Sequence, residues 1–357
     1  MTNLDGGTAD WKKSWAQKRK ENKPRGISGS QEELIHTGFL NDRELPLVVE
    51  PSLRSVDLID WLRSNMELVH RKLLQHGGIL FRGFGLKGNE GFARFLEATS
   101  IPLMHYREGA TPRNQVGEKV YTSTEFPADQ RIALHNELNY VQTWPTKIWF
   151  YCLTAPAVGG ETPIADVRRV FDRLRPEVRD PFVEKGWMLI RNFGDGFGPS
   201  WQSSYRVQDR QQLEEYLRSA DVPFEWKDGD RVRTRQVRPA IARHPKTGET
   251  VWFNHVAFWH VSSLEPKLRQ ELLSEFGEKG LPYNTFYGDG TRIPDAVVAE
   301  LRDAYDAETV QFPWQEGDVL MLDNMLVAHG RSPFSGPRLI LTSMGEPCSD
   351  RGLDRIA

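Results

Sequence analysis

From Asp57 to Gln75, the residues Leu58, Ile59, Leu62, Met66, Leu68, Val69, Leu73 and Leu74 recur at three- and four-residue spacing. That period places apolar side chains on one stripe of a helix. His76-Gly77-Gly78 stops the pattern, and Ile79-Leu80-Phe81 then reads as the start of a strand. A second amphipathic helix is expected over about 89–98. Further on, Val319, Leu320, Met321 and Leu322 form a buried-strand candidate, and Asp323-Asn324 interrupt it before a second apolar run reaches His329. Gly330 to Pro337 reads as a turn, with Arg338 to Met344 as the strand returning beside it in a hairpin. Trp and Phe cluster at 144–150, 252–259 and 312–314, and the stretch from Pro181 to about Ile293 reads as a helical insertion between strands. These patterns suit a mainly β fold with flanking helices, built on a double-stranded β-helix (jelly roll, cupin-like) core. Residues 1–35 are polar and Lys-rich, an arm preceding a single domain over 36–357.

His135-Asn136-Glu137 carries the first candidate chemistry. Ile132, Leu134, Leu138 and Tyr140 around it suit a strand end entering a loop. In an extended segment residues i and i+2 project to the same side, so His135 and Glu137 can face one ion. Two imidazoles and one carboxylate on one face of an octahedral metal leave three adjacent positions open, which suits non-haem Fe(II). His-x-Glu alone recurs by chance, so the weight falls on the block Asp323-Asn324 … His329-Gly-Arg-Ser-Pro-Phe-Ser-Gly-Pro-Arg338. A hairpin there would supply His329 as third ligand and bring Arg338 back beside it, where a planar guanidinium can take a carboxylate bidentately.

Together, His135-x-Glu137, the segment Ala-Pro-Ala-Val-Gly-Gly-Glu-Thr162-Pro-Ile-Ala-Asp166 and the 323–338 block resemble the taurine dioxygenase/TfdA-like group of Fe(II)- and 2-oxoglutarate-dependent oxygenases. The resemblance runs from about Gly77 to Met344, and its nearest flavour is the branch similar to clavaminate synthase and the syringomycin-cluster hydroxylase. It implies His135, Glu137 and His329 as iron ligands, Arg338 gripping the distal carboxylate of 2-oxoglutarate, and Thr162 supporting that carboxylate. Dioxygen is the other co-substrate, and no catalytic side chain is implied beyond the ligands. The wider family most often has aspartate where this chain has Glu137. A carboxylate there argues against the halogenating relatives, which replace it with Ala or Gly. The branch implies hydroxylation of an amino acid or derivative, free or carrier-protein-bound, in specialised metabolism; desaturation or cyclisation would be other endings of the same chemistry. Asn254 and His255, and in the insertion Arg191, Trp201 and Tyr205, resemble stretches that face substrate.

Blander readings stand beside these. Asp166 has the place of a helix cap before Val167. His255 and His260 invite a zinc reading but lack a partnered carboxylate motif. Cys152 lies in the apolar run Ile-Trp-Phe-Tyr-Cys-Leu and reads as core. A jelly-roll binding module without catalysis would have no need of His135, Glu137, His329 and Arg338 together.

Composition then narrows the field. Across 357 residues, 39% hydrophobic content suffices for a sizeable core. Lys+Arg 46 against Asp+Glu 49 gives a formal charge of -3, so nucleic acid is not an expected partner. Two cysteines, Cys152 and Cys348, make no disulfide framework, and no stretch approaches a membrane span. A cytoplasmic protein is expected, with its oligomeric state open.

Overall fold

A computed structural model describes residues 34–106, 113–124, 126–196 and 198–349. The strand Thr143–Thr154 is the spine of the molecule. Ile148, Phe150 and Cys152 alternate with Trp149 and Tyr151, and the two sets enter different cores on opposite faces. Because both faces are covered, the strand is a continuous apolar run rather than an alternating one. It pairs antiparallel with Val319–Asp323 on one side and Leu339–Ser349 on the other. These three lie at the centre of an eight-stranded sheet completed by Ile35–Phe39, Leu47–Pro51 and Gly78–Phe81 at one end and by Val120–Thr122 and Gln115–Gly117 at the other.

The outer face of this sheet carries the two expected helices, Leu58–His76 and Gly88–Thr99. Leu62, Leu73, Phe92 and Phe95 pack there against Phe81, Trp149, Tyr151 and Met321. Each such side chain, fully buried, contributes about 1.5–3 kcal/mol. The first helix starts at Asp57, whose carboxylate accepts from the amides of Ile59 and Asp60. It stops at Gly77, where φ is 76° and a Cβ would lie 2.5 Å from Val327 Cγ2. Gly77 thus ends the helix and lets its corner approach the strand that carries His329.

The inner face packs on a four-stranded sheet, in the order Thr309–Val310, Ile164–Asp166, Val327–Arg331, Ile132–His135. Ile164, Val327 and Ala328 meet Ile148, Phe150, Leu320 and Leu322 in one core. Two mainly antiparallel sheets closed on each other around that core make the double-stranded β-helix, with Leu47–Pro51 and Gly78–Phe81 a parallel pair in the larger one. Asp166 caps the helix Val167–Arg173 through the Arg168 amide, and Cys152 is fully buried, with burial pushing its thiol up to about 12.

Two expectations need correction. The expected hairpin does not form: Val327–Arg331 belongs to the small sheet, beside Ile132–His135 and Ile164–Asp166, whereas Leu339–Ser349 pairs with Thr143–Thr154 and Val120–Thr122 in the large one. The 332–338 segment therefore crosses between sheets. The insertion is also not purely helical. It contains a four-stranded sheet of Phe224–Trp226, Val232–Arg238, Trp187–Phe193 and Tyr283–Tyr287, and the short pair Ile241–Arg243 and Thr250–Trp252. Strands such as Val232–Arg238 put the polar Thr234 and Gln236 at buried positions with Arg233 and Arg235 between them, which hides their period from a search for apolar runs. All but the last two residues of the expected arm lie outside the described residues. No helix among the described residues is long and apolar enough to cross a membrane.

Candidate active site

Ile132–His135 and Val327–Arg331 run antiparallel with His135 directly opposite His329, their ring centroids 4.6 Å apart. Glu137 is not on that strand. It lies just beyond the strand end, and Asn324 brings it into place. Asn324 Oδ1 accepts from the Glu137 amide at 2.7 Å, and Asn324 Nδ2 donates to the carbonyls of Glu137 and Pro145 at 2.9 and 2.8 Å. Asn136 Nδ2 closes the clamp on the Asn324 carbonyl at 2.7 Å. Asp323 supports the turn by accepting from the amides of Met325 and Leu326, while its other oxygen takes Lys147 Nζ at 2.9 Å. The Asp-Asn break seen in the sequence is thus what aims the carboxylate at the two imidazoles.

One donor atom from each of His135, Glu137 and His329 lies within 4.8 Å of the others, and all three residues are buried. His135 Nδ1 is 2.9 Å from the Ala133 carbonyl; donating there leaves the Nε2 lone pair for a metal. Burial, aided by His329, pushes His135 down to about 4, so it is neutral as a ligand must be. Burial alone would raise the Glu137 carboxyl, but Arg113, His329 and His135 outweigh it and hold the group well below the usual carboxylate range. Two imidazoles and an ionised carboxylate, with no fourth protein ligand among the described residues, fit a dication that keeps open positions.

Beside this trio opens a small cavity lined in part by Ser123, Thr162, Arg331 and Arg338. Arg338 Nε donates to the Gly160 carbonyl at 2.8 Å and its Nη1 to Ser123 Oγ at 3.3 Å. No carboxylate of the described residues lies within 4.0 Å of it. Burial, with Arg331 nearby, lowers Arg338 to about 10, so it remains a cation at neutral pH. Gly160 makes room for it: φ is 71°, and a Cβ would fall 3.0 Å from Arg338 Cδ and 2.6 Å from Pro156 Cγ. Thr162 Oγ1 accepts from Trp314 Nε1 at 3.2 Å, which fixes the hydroxyl at the cavity wall. A half-buried cation without a counter-ion among the described residues and a positioned hydroxyl suit a dianion's far carboxylate.

A second cavity, of about 460 Å³, opens on the other side of the same residues. Tyr140, Phe258, Trp259 and Tyr283 supply aromatic walls, and Gln130, Arg131 and His255 polar ones. The insertion contributes much of this lining. Arg331 holds the loop across both cavities by donating to the carbonyls of Phe126, Pro127 and Gln130.

Of the five residues expected to face substrate, His255 lines this cavity. Its Nδ1 contacts Asn139 Oδ1, and burial holds it well below its ordinary value. Asn254 does not line it; its side chain bridges the Ala240 carbonyl and the Val256 amide in a turn. Arg191, Trp201 and Tyr205 are also outside the lining. Arg191 lies over Phe193 and Tyr205, and Trp201 Nε1 donates to the Asp230 carbonyl at 3.1 Å, in a core of the insertion's own. Arg191 sits one strand away from the cavity, opposite Tyr283. His260 caps the turn at Ser262 and joins no metal cluster among the described residues. Sequence reasoning missed Arg113, Ser123 and Trp314: each is a single polar or aromatic residue outside any periodic pattern, brought in by the fold alone.

The comparisons agree with this architecture. The profile described as "Taurine catabolism dioxygenase TauD, TfdA family" matches residues 41–344. The chain belongs to the TauD/TfdA family of Fe(II)- and 2-oxoglutarate-dependent dioxygenases, with dioxygen as the other co-substrate. It is 39% identical to the dapdiamide synthesis protein DdaC of Enterobacter agglomerans, over 77% of this chain and 84% of that protein. A clavaminate synthase-like protein of Arabidopsis thaliana is 29% identical over 85% of this chain and 94% of its own length. Among solved structures, PvcB of Pseudomonas aeruginosa superposes with a TM-score of 0.54 at 16% identity, covering 93% of this chain and 98% of that one, and so shares the fold.

Proposed function

We propose that this oxygenase oxidises an unactivated C–H bond of an amino acid or amino-acid derivative in a biosynthetic pathway, hydroxylation being the ordinary outcome. His135, Glu137 and His329 hold the iron in this reading, and Arg338 and Thr162 the distal carboxylate of 2-oxoglutarate. The observation that carries it is the meeting of two cavities at the His135–Glu137–His329 trio, one for the co-substrate, with a half-buried arginine lacking a counter-ion among the described residues, and one for the substrate, with aromatic and polar walls. The similarity to a dapdiamide synthesis protein supports the place in a biosynthetic pathway.

Bound at the trio, Fe(II) supplies dioxygen activation coupled to oxidative decarboxylation of 2-oxoglutarate. The chain's residues do the rest by placement. The Ala133 carbonyl fixes the His135 tautomer, and Asn324 fixes the Glu137 backbone. Arg338, held by Gly160 and Ser123, sets the depth at which a dicarboxylate can enter. The loop tied down by Arg331 and the aromatic walls exclude bulk water, so the choice of C–H bond is set by which one the larger cavity holds nearest the metal.

Anaerobic titration of apo-protein with Fe(II) and 2-oxoglutarate tests the site. The weak visible charge-transfer band of the chelate should appear in wild type and weaken in Arg338→Ala; folded wild-type protein without a band would refute the assignment. The substrate class fails if 2-oxoglutarate turnover stays at its uncoupled background with a panel of free and carrier-bound amino acids.

A further inference from the structure

We propose that Arg113 is the anchor for a carboxylate of the substrate, so that the larger cavity selects anionic molecules; the inference rests on the proposed reading for the kind of molecule that carries this carboxylate. Arg113 lines both cavities and stands against the trio, with Nη2 at 2.6 Å from Glu137 Oε2. Its side chain is only 3% exposed. Among the described residues, its Nε and Nη1 are buried with no hydrogen-bond partner.

That arrangement is incomplete. A buried guanidinium with donors unmet is costly, more so than a neutral group in the same position. Its one ionic partner among the described residues is Glu137, and Glu137 Oε2 also lies 3.7 Å from His329 Nε2, on the side where the trio gathers its donor atoms. A dication held by the trio would share that carboxylate's single negative charge, leaving Arg113 with less of a counter-charge. A second anion beside Arg113 meets a free donor and restores the balance.

The surroundings point to substrate as the source of that anion. The co-substrate's far carboxylate already has Arg338 and Thr162 in the smaller cavity. In the larger cavity the other cation of the lining, Arg131, is half-exposed and paired with Asp306 at 2.8 Å. The acid of that wall other than Glu137, Glu265, is engaged in capping the Lys267 and Leu268 amides. The Tyr106 ring lies 4.4 Å from the Arg113 guanidinium carbon and sets the plane of the fork. A carboxylate accepting from Nη1 would leave the rest of the molecule among Tyr140, Phe258, Trp259 and Tyr283, in a volume of about 460 Å³ that suits a small-molecule ligand.

The test is anaerobic calorimetric titration of the Fe(II)- and 2-oxoglutarate-loaded protein with matched pairs of acids and their methyl esters. The panel combines N-acetylated α-amino acids with aryl-alkanoic acids that lack an α-amino group. In wild type at least one acid should bind about ten- to a hundredfold more tightly than its ester, the range of a charge-assisted contact. Arg113→Gln should erase that preference, Arg113→Lys should keep part of it, and Arg131→Gln should leave it intact. The charge-transfer band should still form in Arg113→Gln at saturating Fe(II) and 2-oxoglutarate. Esters binding as well as acids, no acid binding at all, or an acid preference that survives in folded Arg113→Gln would overturn the anchor. A loss of the band confined to the Arg113 variants would also overturn it, by assigning the arginine to the co-substrate. If only the aryl-alkanoic acids show the preference, the anchor stands and the amino-acid reading falls.

Discussion

Asn324→Ala tests whether the Glu137 carboxylate is placed by the turn rather than by its own strand. The Asn324 side chain is fully buried and makes three hydrogen bonds to backbone groups, two of them to Glu137 itself. Removing it strands one buried amide and two carbonyls. At about 1–1.5 kcal/mol for each bond lost with its partner left unmet, the variant should lose roughly 3–4 kcal/mol of folding stability. Asn324→Asp should do no better, because an acceptor would then face the Glu137 and Pro145 carbonyls. The same loosening acts on the metal site, where removing a group that orients a ligand typically lowers affinity about 10–100-fold. Denaturant unfolding of the metal-free protein gives the first number, and Mn(II) titration at a temperature where the variant stays folded gives the second. A loss below about 1 kcal/mol together with wild-type metal affinity would refute the clamp.

Thr162→Val should raise the 2-oxoglutarate midpoint about ten- to a hundredfold, the effect of one hydrogen bond to a charged acceptor, and should also leave Trp314 Nε1 unpaired; the charge-transfer titration measures it. Arg331→Leu should free the 126–130 loop, read as faster amide exchange there and as 2-oxoglutarate consumed without substrate oxidation. Stability should fall in acid through Glu346, which Lys147, Lys246 and Thr146 hold at about 2 against the effect of burial, below an ordinary 4.5. A depressed carboxylate stabilises the fold above its unfolded value and loses that contribution as pH drops from about 4.5 to 2; thermal melts across that window should show a smaller drop for Glu346→Gln than for wild type.

The flanking helices and the large sheet's central strands were legible because their signals are local. Asp57 and Gly77 mark both ends of a periodic run, and Val319–Leu322 is an apolar block between turn residues. The placement of Arg338 near the trio was anticipated, but through a hairpin that does not exist. Its strand joins Thr143–Thr154, about 190 positions earlier in the chain, and strand order of that kind leaves no mark in a local pattern. For the same reason the resemblance of Arg191, Trp201 and Tyr205 to substrate-facing stretches did not translate into position. They are aromatic and polar like the cavity wall, but Leu213, Leu217 and Val232 gather them into a separate core.

The division of labour between the two sheets explains why so few residues must be right for the site to form. The small sheet sets His135 opposite His329 through strand register, a constraint that a one-residue slip would destroy by turning one ring to the other face. The large sheet carries Arg338 at the start of Leu339–Ser349 and Asn324 just after Val319–Asp323, so both reach the trio from the sheet that faces it. Ring contact between Phe150 of the large sheet and His329 of the small one, at 4.9 Å, fixes the spacing of the two layers at the trio. The placement of Arg338, the direction of the Glu137 carboxylate and the histidine pairing therefore all follow from the packing of one core. The wall opposite draws on the insertion, including Phe258, Trp259 and Tyr283. Phe258 lies 4.9 Å from the His135 ring, and Trp259 belongs to the same core as Phe150 and Val327, so the insertion is packed into both sheets where Arg113 stands against Glu137.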